Sequence, residues 1–283
     1  MLRGSRLPAS LSHTTCRAYS ATTGTRKVRV LSNGSVETFR RDAFQPAVPA
    51  VLPSKHFAAM PAIHKWFLKS ADNESIALNA SYLAKFGATI VPLEISNYDS
   101  FSRIEQSLSF FLDASTMTTP TARIYLAQAP LMDLPRSLVN DVPTPDLVCL
   151  AGKGDLYDSS IWLGQAPTYT PLHRDPNPNL FVQLAGTKIV RLYKPSDGLA
   201  IFAKVQENVG GTASASMRGE EMMQGAEKKA LEREVWEQND SSGPLCWEAE
   251  LSSGDGLFIP KGWWHSIKGV GGGMTGSVNW WFR

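Results

Sequence analysis

From residue 147 onward the sequence is cut into short β-prone runs by glycine, proline, asparagine and aspartate, and this punctuation limits the fold more than any other feature. The runs Ser159 to Leu163, Leu180 to Leu184, Lys188 to Tyr193, Trp247 to Leu251, Gly256 to Ile259 and Thr275 to Phe282 are rich in branched and aromatic residues. Runs this short and this evenly separated predict a closed or sandwiched antiparallel sheet, and argue against a parallel sheet alternating with helices. No glycine-rich phosphate loop follows any of them. The chain of 283 residues, 43% apolar and 10% aromatic, is long enough to fill one sizeable core or two small ones.

One stretch breaks this rhythm. Residues 196–244 form an insertion whose centre, Met217 to Gln238, alternates Glu, Lys and Arg in the manner of a charged helix. The plain expectation is a solvated helix on a long connection; the sharper one is a lid over a site. Upstream, Pro46, Pro49, Pro53 and Pro61 mark an irregular lead-in. Ile76 to Phe86 and Phe101 to Leu112 have helical spacing, whereas Ala88 to Ile95 and Ala122 to Gln128 read as strands, the first interrupted at Pro92.

The ends of the charge distribution differ. All six basic residues before Glu37 (Arg3, Arg6, Arg17, Arg26, Lys27 and Arg29) lie in a stretch without an acid, and the 22 that remain face 26 acidic residues. The body is mildly acidic, which argues against general affinity for phosphate backbones. Residues 1–36, with dispersed arginines and many Ser and Thr, have the composition of a mitochondrial transit peptide and disordered leader. Arg17-Ala18-Tyr19-Ser20 resembles a matrix processing site cut before Ser20, so the expected location is the mitochondrial matrix, with cytoplasm or nucleus as the alternative. Cys16, Cys149 and Cys246 lie far apart without a CxxC pair, which excludes a disulfide scaffold and a cysteine-rich zinc module. No run of about 18 apolar residues offers a membrane span.

The chain has five histidines. His56 and His64 fall in the lead-in and read as packing or surface groups. His173 and Asp175 are two apart, and on an extended strand side chains at that spacing point the same way, so both reach one metal. His265 follows ninety residues later, after Gly256-Leu257-Phe258-Ile259-Pro260-Lys261-Gly262-Trp263-Trp264. Two imidazoles and one carboxylate on one face of an octahedral ion leave positions for a bidentate cosubstrate and O2, the arrangement of non-haem Fe(II) oxygenases.

These blocks, with Val91-Pro92-Leu93-Glu94, Tyr125-Leu126-Ala127-Gln128, Thr170-Pro171-Leu172, Asn179 to Lys188 and Ser277-Val278-Asn279-Trp280-Trp281, resemble the JmjC family of cupin-type Fe(II) and 2-oxoglutarate dioxygenases. Within that family they are similar to the small hydroxylase branch that includes the asparaginyl hydroxylase of hypoxia-inducible factor. The resemblance spans roughly residues 87–283. It implies a mainly β fold with flanking helices, the double-stranded β-helix or jelly-roll barrel; ahead of it, composition and proline punctuation place a leader (1–36) and a lead-in with N-terminal helices (37–86). It also implies that His173, Asp175 and His265 hold Fe(II). Lys188 would pair with the far carboxylate of 2-oxoglutarate, Thr170 and Tyr125 would donate hydroxyls to it, and Asn179 and Asn279 would line the pocket. A cosubstrate with two carboxylates needs a cation at the end of a dry pocket, which is the physical sense of a lysine there. Trp263, Trp264, Trp280 and Trp281 read as core or as a substrate channel.

The resulting expectation is a 2-oxoglutarate-dependent hydroxylase of a protein side chain that releases succinate and CO2. Alternatives in the same fold are a transfer-RNA base hydroxylase, with RNA as partner, and a histone or protein N-methyl demethylase. An alternative of another class is a non-catalytic cupin that keeps the barrel for binding. Oligomeric state stays open.

Overall fold

A computed structural model describes residues 24–69, 75–97, 100–117, 122–211, 213–215, 220–237 and 243–283. Along them run strands β1 (Thr25–Lys27), β2 (Ala50–Val51), β3 (Phe67–Lys69), β4 (Ile76–Leu78), β5 (Ile90–Ser96), β6 (Phe101–Ser107), β7 (Arg123–Pro130) and β8 (Leu156–Gln165). They continue with β9 (Thr168–Arg174), β10 (Asn179–Ala185), β11 (Thr187–Tyr193), β12 (Cys246–Leu251), β13 (Gly256–Ile259), β14 (Trp264–Val270) and β15 (Met274–Phe282). One sheet has the order β1-β12-β11-β14-β9, and the other β2-β13-β10-β15-β8-β7-β5-β6. Apart from β1, which joins β12 in parallel, neighbouring strands are antiparallel. The two sheets enclose a jelly-roll barrel, as the punctuated runs predict.

The barrel is covered on both faces of its sheets, which explains strands that are buried throughout, such as β10. One apolar cluster lies between the larger sheet and the N-terminal helices, with Phe39, Trp66, Phe111 and Trp280 fully buried. A second (Phe181, Val190, Leu192, Leu257, Ile259) fills one end of the barrel. A third, with Leu172, Ile201, Phe202, Leu231 and Trp264, lies under the insertion. Each fully buried large side chain contributes about 1.5–3 kcal/mol. Among the described residues no helix is long and apolar enough to cross a membrane.

Several elements depart from the sequence expectation. Ile76 to Phe86 begins as β4, pairs with β3 and turns helical only at Ala80, where Asn79 caps the helix through Tyr82 N–H. Phe101 to Ser107 is strand β6, paired along its length with β5, and the helix starts at Leu108 behind the Ser107 cap. Pairing with a neighbouring strand overrides the helical spacing in both places. Pro92 lies within a continuous β5; the ladder from β5 to β7 begins only at Leu93.

The insertion differs as well. Its first part is a helix over Pro195–Val209, and the charged stretch is divided into a turn at Glu220–Met223, a helix at Gly225–Glu232 and a wider turn at Arg233–Glu237. Met217 and Gln238 lie outside the described residues. The segment is not a solvated helix, because Ala230, Leu231, Val235 and Trp236 are buried against the smaller sheet while Lys229, Arg233 and Glu237 face outward.

At the other end, β1 pairs with β12, and Val28 and Leu31 are buried, so residues 25–31 belong to the barrel and not to a disordered leader reaching 36. The cleavage position before Ser20, with Cys16 and the arginines ahead of it, lies outside the described residues.

Candidate metal and cosubstrate site

The register of β9 and β14 brings the two histidines together. His173 and His265 are direct cross-strand partners, their ring centres 4.2 Å apart, and a bulge follows immediately in the ladder. Asp175 comes one residue after the end of β9, so the His-x-Asp pair straddles the strand end instead of lying within the strand. The carboxylate nevertheless turns toward both rings: Oδ1 is 3.9 Å from His173 Nε2 and Oδ2 is 3.7 Å from His265 Nε2. One ligand atom from each of the three residues falls within 4.8 Å of the others.

The far side of each ring faces a backbone carbonyl, Pro171 O at 2.9 Å for His173 Nδ1 and Trp263 O at 3.2 Å for His265 Nδ1. A carbonyl only accepts, so the proton resides on Nδ1 and the Nε2 lone pairs point inward. Burial, together with His173, lowers His265 to about 4, which makes it a neutral ligand. Burial opposes the charge of Asp175, but any positive charge on the His265 and His173 rings, together with the N–H donors of Trp281 and Asn179, outweighs it and lowers the carboxyl below its ordinary range.

His173 and Asp175 line a cavity of about 960 Å³ whose walls also include Tyr125, Thr170 and Trp281. Behind Tyr125 lies Lys188, 3% exposed, with Nζ donating to Ser277 Oγ at 2.8 Å and to Tyr125 Oη at 3.3 Å, and resting 5.4 Å from the centre of the Phe181 ring. Burial lowers its ammonium to about 7. The Tyr125 ring lies against Gly164, directly opposite it on β8, where an added Cβ would approach to 2.0 Å; glycine at this position is what lets the ring lie flat. Burial and Glu94 push the Tyr125 phenol upward, so it stays a neutral donor.

The sequence therefore locates His173, Asp175 and His265 as one group and Lys188 with Tyr125 as another. Thr170 lines the cavity, and its carbonyl accepts from Ser266 Oγ. Asn179 and Asn279 do something other than line the pocket: Asn279 Nδ2 donates to Asn179 Oδ1, and Asn179 Nδ2 donates to Asp175. Ser277 escapes sequence reading, whereas Trp281 and the insertion reach the cavity in line with one of the two readings open to each. Ser277 and Trp281 share a face of β15 with Asn279, an alternation that signals them once the strand's inward face is known. Met222, Met223, Lys228 and Glu232 of the insertion line the cavity, which gives that segment the place of a cover. His56, against Phe57, and His64, against Ala58 O, lie outside the site.

Comparison with known proteins agrees with this architecture. Residues 37–283 match the family model described as a cupin-like domain. The lysine-specific demethylase JMJ30 of Arabidopsis thaliana is 30% identical over 262 residues, covering 91% of this chain and 55% of its own length. The lysine-specific demethylase 8 of Danio rerio is 27% identical over 276 residues (94% and 61%), and the Jumonji C domain-containing protein 5 of Drosophila melanogaster is 28% identical over 264 (87% and 58%). The chain thus spans little more than half the length of the curated relatives it matches. With its barrel, its paired histidines and these relatives taken together, the chain belongs to the cupin-like domain family of JmjC type.

Proposed function

We propose that this protein is an Fe(II)- and 2-oxoglutarate-dependent oxygenase that hydroxylates a protein side chain. The observation that carries the reading is the grouping of the His173, Asp175 and His265 donors beside a cavity whose wall includes Tyr125, with the buried ammonium of Lys188 directly behind that tyrosine. Two neutral nitrogens and one carboxylate oxygen, all turned inward and within 4.8 Å, suit a divalent first-row ion. His173, Asp175 and His265 would hold the iron, which supplies the oxidising chemistry that converts 2-oxoglutarate and O2 to succinate and CO2 and oxidises a substrate C–H bond.

The chain's own residues set the stage for that chemistry. Lys188 binds the distal carboxylate, Ser277 and Tyr125 hold the ammonium in place, and Tyr125, accepting from Lys188, has its own O–H free to donate to the same carboxylate. Thr170 adds a hydroxyl on the wall between the two ends. The wall of Met222, Met223, Trp162 and Trp281 keeps water from the reacting end and leaves space beyond the cosubstrate for a side chain of a protein substrate.

A second reading, removal of N-methyl groups from protein lysines, is favoured by relatives named lysine-specific demethylases. One experiment separates them: the protein is incubated with Fe(II), 2-oxoglutarate and cell extract, with succinate, formaldehyde and peptide masses followed. A gain of one oxygen on a peptide without formaldehyde supports hydroxylation, and formaldehyde release with loss of a methyl mass supports demethylation. Absence of succinate with any substrate overturns both and leaves a binding barrel. For location, the acid-free, arginine-bearing leader supports the mitochondrial matrix. A tagged protein found uncut and outside that organelle overturns it.

A further inference from the structure

Asp175 is held by a chain of donors that the metal site alone does not require. In the ladder between β10 and β15, Asn179 lies directly opposite Trp281, so both side chains leave the same face of the sheet. Both reach one oxygen of the carboxylate. The Trp281 indole N–H donates to Asp175 Oδ2 at 2.9 Å, and the Asn179 amide donates to the same atom at 2.8 Å. Asn179 is itself fixed, since its Oδ1 accepts from Asn279 Nδ2 at 3.0 Å. That bond decides which end of the Asn179 amide faces Asp175. Oδ1 of Asp175 takes neither donor and faces His173 Nε2 at 3.9 Å, whereas Oδ2, 3.7 Å from His265 Nε2, takes both.

We infer that Trp281 and Asn179, the latter oriented by Asn279, are positioning residues that engage Asp175 Oδ2 and reserve Oδ1 for the metal. A carboxylate has two equivalent oxygens and turns easily about its last bond. Left to itself beside a divalent ion it can bind through both, and the second oxygen would take a position that the bidentate cosubstrate and O2 need. Two N–H donors on one oxygen remove that choice. The buried amides serve the same end: Asn179 and Asn279 are 1% and 5% exposed, and groups so buried are retained at little cost only when fully bonded. Trp281 has a further property. It also forms part of the cavity wall, so the orientation of the metal ligand and the shape of the space beside it depend on one side chain.

This inference rests on the metal-dependent reading of the site, and the test keeps the two apart. Wild type and Trp281→Phe, which keeps an aromatic ring in the wall but loses the indole N–H along with the second ring, are titrated with Co(II) without cosubstrate, by calorimetry and by the visible absorption of the bound ion. Circular dichroism and thermal melting confirm that the variant folds. We expect Trp281→Phe to bind Co(II) about 10- to 100-fold more weakly, the usual cost of removing a partner of a metal ligand. Its absorption spectrum should change in intensity and shape as Oδ2 enters the coordination. A folded Trp281→Phe with unchanged affinity and spectrum overturns the inference while the metal site stands. Wild type that binds no Co(II) overturns both. Asn279→Ala tests the same chain from its far end if Trp281→Phe folds poorly: a weakened Co(II) affinity with an altered spectrum is expected there too, and no change in either overturns the relay.

Discussion

The two ends of the site treat their charges in opposite ways. At one end the Asp175 carboxylate is met by two imidazoles and two N–H donors and is held charged below the ordinary range. At the other, Lys188 is more deeply buried still, but its partners are two neutral hydroxyls and an aromatic ring, and among the described residues no carboxylate pairs with it. Burial accordingly lowers its ammonium to about 7. The first end is an anion furnished with everything except a cation. The second is a cation whose counter-charge the protein does not supply, an arrangement whose cost falls only when a ligand brings one. A metal-chelating dicarboxylate fits both deficits at once.

The largest effect that would break this comparison is at the acidic end. Asp175→Ala leaves two neutral ligands, and we expect Co(II) binding and succinate formation to fall below detection. A variant that retained iron-dependent decarboxylation would remove Asp175 from the site. At the basic end, Lys188→Met should weaken 2-oxoglutarate by about 2–5 kcal/mol, the scale of truncating one partner of a buried charge pair. The same change should not lower the melting temperature of the ligand-free protein, because an apolar side chain replaces an ammonium that burial disfavours. A Lys188→Met protein that melts early but binds 2-oxoglutarate normally would make the lysine structural.

How far the sequence reveals these two ends differs as well. The barrel is legible from its short punctuated runs; the His173-x-Asp175 spacing offers two candidate metal donors, and the resemblance is what joins His265 to them. Lys188 is legible only through resemblance, since a lysine on a strand looks like a surface residue until its burial is known. The roles of Asn179, Asn279 and Trp281 are hidden for a different reason: they depend on the register that sets Asn179 opposite Trp281, a property of two strands about a hundred residues apart. The strand β6 and the buried insertion face are misread because partner elements, and not local spacing, decide them.

A pH series sharpens the comparison further. The Lys188 ammonium is depressed to about 7 in the ligand-free fold, far below the ordinary lysine range. The unfolded chain therefore binds more protons than the folded one between about pH 7 and pH 10, and this group's contribution to stability rises with pH across that window. Binding runs the other way. A carboxylate pairs with the ammonium, so above pH 7 the complex must take up a proton, and the affinity for 2-oxoglutarate should fall up to about tenfold per pH unit. Calorimetry at pH 8 in buffers of different ionisation heat measures the uptake. Zero uptake would mean that Lys188 is already charged, and the contrast between the two ends would lose its basis.

The smallest effect concerns the hydroxyl that stands between Lys188 and the cavity. Tyr125→Phe keeps the ring on Gly164 and removes only Oη, which accepts from Lys188 at 3.3 Å and lines the route to the metal. Ser277, at the shorter 2.8 Å, still holds the ammonium, so its position should survive. What is lost is one hydroxyl donor to the distal carboxylate, worth about 1.5–3 kcal/mol when the acceptor is charged, or roughly 10- to 150-fold in 2-oxoglutarate affinity. Removing a polar neighbour also leaves Lys188 less solvated, so the pH at which affinity begins to fall should move lower than in the wild type. Both shifts are read from one set of titrations. If Tyr125→Phe costs as much as Lys188→Met, the hydroxyl and not the charge is the main anchor; if it costs nothing at any pH, the carboxylate lies elsewhere in the cavity and the assignment of its basic end fails.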